Sequence, residues 1–142
     1  MTLHGGSWRV HASAVDDVRL ITDSIVWLCG DDEAVEVKRE KSALGAPMYI
    51  IECKMKSRKA KESLARINAE SLSSMLDLGL TSLIDKDKIL HIRVDLESLV
   101  RGEAIVLQNN SGPVAKGRFK LEVYPGQEPT TVAERFIEEL VG

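Results

Sequence analysis

Runs in which apolar and polar residues alternate are interleaved with stretches whose apolar residues recur three and four positions apart, and this change of period limits the fold more than any other feature. Period two is the mark of a strand with one buried face, and the longer spacing is the mark of a helix with one buried stripe. Trp8, Val10 and Ala12 alternate with Arg9 and His11 across residues 7–13. Val35 and Val37 alternate with Glu36 and Lys38 within residues 33–41. After the loop Ser42-Ala43-Leu44-Gly45-Ala46-Pro47, the residues Tyr49, Ile51, Cys53 and Met55 share one face of a second run, with Met48, Ile50, Glu52, Lys54 and Lys56 on the other. If these two runs pair as a hairpin, Lys38, Lys54 and Lys56 fall on one sheet face. Leu90, Ile92 and Val94 alternate with His91, Arg93 and Asp95, and a last strand carries Phe119, Leu121 and Val123 up to Pro125-Gly126.

Helical stripes fill the intervals. Asp16 or Asp17 caps a helix carrying Val18, Ile21, Ile25 and Leu28, closed by Gly30. Ser57 caps a second helix with Ala60, Leu64 and Ile67 inward. Leu72, Met75, Leu76, Leu80 and Leu83 extend this stripe, as the same helix or as another after a kink near Asn68, and they read as core packing. Residues 96–101 form a short helical turn ended by Gly102, followed by a strand over 104–107. Thr131-Val132-Ala133-Glu134 is a capping box that opens a terminal helix over 130–142, with Val132, Phe136 and Leu140 on one side. Residues 1–6, with Gly5-Gly6, read as a disordered end. The expectation is one α+β domain over residues 1–142.

The chain has 142 residues and 44% hydrophobic content, enough to bury a core without staples. No apolar run has the length of a membrane span and no leader precedes the first strand, so a soluble, cytoplasmic protein is expected. Cys29 and Cys53 lack the spacing of a disulfide framework or metal site and read as reduced core residues. Aromatic content of 4% leaves too few rings for a base-stacking platform.

Charge is concentrated in one segment. Between Val37 and Arg66 lie Lys38, Arg39, Lys41, Lys54, Lys56, Arg58, Lys59, Lys61 and Arg66, faced by Glu40, Glu52 and Glu62, in a chain whose formal net charge is −3. A basic block on an acidic protein is the usual footprint of a polyanion contact. Arg58, Lys59 and Lys61 occupy the first helical turn after Ser57, the positive end of the helix dipole, an arrangement that suits a solvated face or a bound anion. Arg93, mid-strand beside Asp95, either pairs with a carboxylate or reaches a phosphate.

Catalytic chemistry is not advertised. No glycine pattern marks a nucleotide-binding loop, and no cofactor is expected. His4, His11 and His91 are scattered, Cys53 lies on an apolar strand face, and Asp85, Asp87 and Asp95 match no Ca²⁺ loop, so no catalytic or metal-binding residue is assigned.

The order Gly45-Ala46-Pro47 before an apolar strand, a leucine-rich helical stretch over 64–85, and Ile92-Arg93-Val94-Asp95 followed by a short helix closed at Gly102 resembles an archaeal family described as predicted RNA-binding proteins and as an exosome-associated subunit. The likeness spans about two thirds of the chain. It departs at Leu96-Glu97, where that family has Lys-Gln, at Leu44, where histidine is common, and in the helix beyond Pro129. The resemblance implies a fold like that of a ribosomal RNA-binding protein: a two-layer sandwich, its mostly antiparallel sheet carrying helices on one face. It also implies an RNA partner and a link to RNA processing or to the exosome, while the basic block and the scarcity of aromatic rings point to structured or double-stranded RNA held through its phosphates. Lys38, Arg39, Lys41, Lys54, Lys56, Arg58, Lys59, Lys61 and Arg93 are the candidate contacts. The alternative is an interaction module that docks an acidic protein, such as a subunit of an RNA-processing complex, without binding nucleic acid. Oligomeric state is not legible.

Overall fold

A computed structural model describes residues 3–13, 15–41, 43–108 and 112–142. The elements run β1 (Leu3–Ser13), α1 (Val18–Cys29), β2 (Val35–Lys41), β3 (Pro47–Lys56), α2 (Ser57–Ala65), α3 (Ala69–Leu78), β4 (Ile89–Asp95), α4 (Leu96–Val100), β5 (Val114–Leu121) and α5 (Pro129–Val141), with single 3₁₀ turns at Asp32–Ala34 and Thr81–Leu83. The strands form one antiparallel sheet in the order β2-β3-β1-β5-β4. It is the α+β arrangement expected from the sequence, with the helices against one face.

Strand alternation places the core. Trp8 lies opposite Cys53 and Gly117, Val10 opposite Ile51, and Phe119 opposite Gly6 and Leu90. These positions and their same-face neighbours are buried beneath Ile25, Leu28, Leu64, Met75 and Phe136 from the helices. The Trp8 and Phe119 rings meet edge to face at 5.3 Å and 75°. That packing requires glycine on two neighbours: a Cβ on Gly117 would lie 2.7 Å from the Trp8 ring, and one on Gly6 would lie 2.5 Å from the Phe119 ring. Gly6 therefore belongs inside β1, and residues 3–6, expected in a disordered end, are strand; Met1 and Thr2 lie outside the described residues.

Three local expectations are corrected. Ser57 is the first residue of α2 rather than its cap; Lys56 takes the N-cap position and makes no side-chain cap hydrogen bond. α5 begins at Pro129, two residues ahead of the capping box, because proline with its fixed φ suits a first helical turn. The 104–107 stretch is not a strand: Ala104 bridges Ile67 while Val106 bridges Val94, so its backbone is split between two neighbours instead of forming a ladder.

The leucine-rich stretch resolves into two helices. Asn68 separates them, its side-chain oxygen accepting from the N–H groups of Glu70 (2.8 Å) and Ser71 (3.2 Å). α1 meets expectation, with Asp17 accepting from Leu20 N–H at 3.1 Å and Gly30 closing it at φ 79°. At its C-terminus the Leu28 carbonyl accepts from Ser63 Oγ at 2.6 Å, and Ser63 Oγ in turn accepts from the buried Trp8 indole N–H at 2.7 Å. One hydroxyl thus ties sheet and both helices together.

Candidate nucleic-acid interface

The helices cover one face of the sheet, so most polar strand positions lie on the other. An antiparallel sheet tolerates one face packed on helices and the other in water. β1 contributes Ser7, Arg9, His11 and Ser13, and β3 contributes Met48, Ile50, Glu52, Lys54 and Lys56. β5 adds Lys116, Arg118 and Lys120, and β4 adds His91, Arg93 and Asp95. β2 adds Glu36, Lys38 and Glu40.

Register sets these residues in rows. Arg9 lies directly opposite Lys116, which lies opposite Arg93, so three cations sit side by side across β1, β5 and β4. In the next row Lys54 is opposite Ser7, Ser7 opposite Arg118, and Arg118 opposite His91. Beyond it Lys56 is opposite Gly5 and Gly5 opposite Lys120. Strands lie about 4.8 Å apart and successive rows about 6.7 Å apart, so the positive groups form a patch rather than a line. Like charges directly opposite each other destabilise a sheet. The sequence breaks a local preference here.

Carboxylates neutralise the patch incompletely. Arg9 Nε donates to Glu52 Oε2 at 2.7 Å, and this hydrogen bond, with nearby Lys54 and Lys38, holds the Glu52 carboxyl below its ordinary range against the opposing effect of burial. His91 Nε2 meets Asp85 Oδ2 at 2.8 Å, and that contact is the main reason the Asp85 carboxyl is also lowered. Lys120 Nζ donates to the Asp87 carbonyl. Asp95 is occupied as the α4 cap, accepting from Ser98 N–H at 3.2 Å and Ser98 Oγ at 2.6 Å. Among the described residues, Lys54, Lys56, Arg93, Lys116 and Arg118 have no ion pair within 4.0 Å.

The candidates read from the sequence divide accordingly. Lys38, Lys54, Lys56 and Arg93 lie on this open face, the first three as the hairpin alternation predicts. Arg39 and Lys41 have the parity of Val37 and lie on the helix side of edge strand β2. Arg58, Lys59 and Lys61 belong to the helical layer: Arg58 Nε pairs with Glu62 at 3.1 Å, and Lys59 Nζ reaches the Gly30 carbonyl at 3.5 Å. With Arg66 Nη1 at 3.4 Å from the Leu28 carbonyl, Lys59 serves the C-terminus of α1, the negative end of that helix. The continuous basic block of the sequence is thus not one continuous surface. A chain turn between Lys56 and Arg58 passes from sheet to helix layer and separates its two halves.

Arg9, Lys116, Arg118 and Lys120 lie outside the basic block that the sequence marks. Each occupies a polar position of an alternating strand, and that is the signal that would have found them once the strands were paired. A hollow of about 370 Å³ lies beside Arg93 and Lys116 at the β4 edge, and another of about 230 Å³ lies on their β5 side. Both cysteines are buried, and burial raises the Cys53 thiol, with Cys29 beside it adding to the shift. Among the described residues no group of His, Cys, Asp and Glu is placed to hold a metal ion, and no helix is long and apolar enough to cross a membrane.

No protein-family model matches the chain, and no curated protein matches its sequence. Solved structures do match. A DUF54 protein from Methanothermobacter thermautotrophicus aligns with a TM-score of 0.78 over 100% of both chains at 16% identity. A DUF54 protein from Archaeoglobus fulgidus gives 0.74 over 97% of this chain and 99% of its own at 22% identity. Another from Sulfolobus solfataricus gives 0.71 over 96% of each chain at 16% identity. At these identities the likeness establishes the fold, one found in archaeal proteins.

Proposed function

We propose that the protein is a non-catalytic RNA-binding protein that holds phosphates of structured RNA on the open face of its sheet. The observation that carries the reading is the row Arg9–Lys116–Arg93, three cations set edge to edge on neighbouring strands of an acidic protein. An arrangement that costs stability alone is relieved when phosphate oxygens lie between the cations, and guanidinium groups donate to them in pairs. Most of the patch carries no aromatic ring, so recognition rests on backbone shape and charge, as for double-stranded RNA. The interface moves from the strand-helix surface expected from the sequence to the sheet. Lys38, Lys54, Lys56 and Arg93 remain in it, Arg9, Lys116, Arg118 and Lys120 join it, and Arg39, Lys41, Arg58, Lys59 and Lys61 leave it.

A cytoplasmic role in RNA processing, beside the exosome or another complex, belongs to the same proposal and rests on the family resemblance. The test is fluorescence anisotropy with a labelled RNA hairpin. Lys116→Glu with Arg118→Glu abolishes binding, while Arg39→Glu with Lys41→Glu, on the opposite side, weakens it far less, through the change in overall charge alone. Equal loss in both pairs would overturn the assignment of the face. Absence of hairpin binding, together with a protein partner that survives nuclease treatment and is lost in Lys116→Glu with Arg118→Glu, would assign the patch to an acidic protein instead.

A further inference from the structure

The outer edge of β4 is covered in two places and open between them. Asp85 N–H donates to the Ile89 carbonyl at 3.1 Å. Further along, Leu107 N–H donates to the Arg93 carbonyl at 2.8 Å and Asp95 N–H donates to the Ile105 carbonyl at 2.8 Å. The backbone groups that face outward are therefore those of the odd-numbered residues; the antiparallel bridge between Ile84 and Leu90 sets the His91 N–H against the Leu83 carbonyl, so the open interval holds the His91 C=O and the Arg93 N–H. His91 lies in the interval between the two covering segments. The hollow of about 370 Å³ occupies that interval.

Its lining is divided by chemistry. Arg93 and Lys116 form one side, on the cationic row described above, while Ser82 and Gln108 present hydroxyl and amide groups from the two covering segments. Leu83, Val106 and Leu107 supply apolar wall. Small-ligand pockets of about 300 to 1,000 Å³ have this make-up: apolar walls with a few placed polar groups. An open strand edge offers a donor and an acceptor, the pattern that a nucleobase edge presents in return.

We propose that this hollow is a subsite for one unpaired nucleotide of the bound RNA, its phosphate on Arg93 and Lys116 and its base against the His91 backbone and Gln108. The inference rests on the RNA reading above and adds to it a strand end, bulge or overhang as the preferred feature. A base entering here leaves the stack at the margin of the basic face, so the duplex lies across β1 and β5 and the unpaired nucleotide passes the edge of β4. The apolar wall accepts the base without an aromatic platform.

Two measurements test it on the full chain. Uridine and adenosine 5′-monophosphates, titrated into ¹⁵N-labelled protein, shift the amides of His91, Arg93 and Gln108 and leave those of β2 unmoved. The corresponding nucleosides shift them at least fivefold more weakly, and Arg93→Ala removes the difference. A hairpin RNA with a two-nucleotide overhang binds at least fivefold more tightly than its blunt counterpart, and Gln108→Ala, an exposed position, erases that preference while blunt binding stays within twofold. Blunt and overhanging RNA bound equally, with no amide shifts at His91 from either monophosphate, would overturn the subsite and leave the RNA reading standing. Shifts at His91 with no binding of either hairpin would keep a nucleotide pocket and remove the RNA reading. No response in either measurement would overturn both.

Discussion

The salt dependence of the proposed RNA binding is set by which cations on the open face are free. Arg9 is held by Glu52 and Lys120 by the Asp87 carbonyl, whereas Lys38, Lys54, Lys56, Arg93, Lys116 and Arg118 have no ion pair among the described residues. Each phosphate neutralised releases counterions and contributes about −0.7 to −0.9 to the slope of log K against log salt. With these free side chains engaged, the slope is about −4.2 to −5.4, and affinity falls on the order of 10³-fold between 50 and 200 mM salt. Lys116→Ala with Arg118→Ala removes two contacts and flattens the slope by about 1.4 to 1.8. Anisotropy titrations of a labelled hairpin at several KCl concentrations measure both slopes. Arg39→Ala with Lys41→Ala on the helix side leaves the slope unchanged. A parental slope near zero, or a double variant as steep as the parent, would refute the argument, since the phosphates would then not be on this face.

Ser63→Ala leaves the buried Trp8 indole N–H without its acceptor and costs about 1 to 3 kcal/mol, read as a lower urea midpoint at constant m-value; an unchanged midpoint would mean that another group takes the proton. Gly117→Ala drives a methyl into the Trp8 and Phe119 rings and costs about 1 to 3 kcal/mol, whereas Gly45→Ala, where nothing lies within 4 Å, costs less and only through its φ of +84°. Because the folded Glu52 carboxyl is lowered, its pairing with Arg9 contributes fully above the ordinary value of 4.5 and is lost as pH falls through the lower folded value. The urea midpoint of the parent therefore falls relative to Glu52→Gln below about pH 4.5, and parallel profiles would show that the pair contributes nothing; at neutral pH the same variant frees Arg9 and tightens hairpin binding.

Periodicity carried most of the fold. Strand alternation located the core residues Trp8, Val10, Ile51, Cys53, Ile92 and Phe119, and the three-to-four spacing located α1 and its caps. What it missed depended on distant partners. Gly5-Gly6 looks like a break in sequence, and only Phe119, more than a hundred positions away, explains why Gly6 is needed in a strand. Residues 104–107 are apolar enough for a strand but are shared between Ile67 and Val94, a division set by tertiary contacts. The open face was half legible. Lys54 and Lys56 sit in an obvious basic block, whereas Lys116, Arg118 and Lys120 each alternate with a core residue and join the others only through the β1–β5 and β4–β5 registers.

Segregation of charge between the two layers would let an acidic chain attract the proposed polyanion. With a formal net charge of −3 for the whole and an excess of Lys and Arg on the sheet face, the helical layer must be net negative. Asp17, Asp23, Asp32, Glu33, Glu70, Asp77, Glu128, Glu134, Glu138 and Glu139 lie in or beside its helices and turns. An approaching phosphate backbone is repelled from that side and drawn to the other, so the molecule orients before contact. Screening weakens the field beyond about 8 Å at physiological salt, whereas Lys116 and Arg93, side by side in the row, are close enough to act together on one phosphate. Orientation is therefore a long-range effect that fades with salt, and grip is a short-range one that depends on register. A variant that adds positive charge to the helical layer raises overall affinity for RNA without restoring a face weakened by Lys116→Glu, because net charge can be replaced anywhere and the cross-strand row cannot.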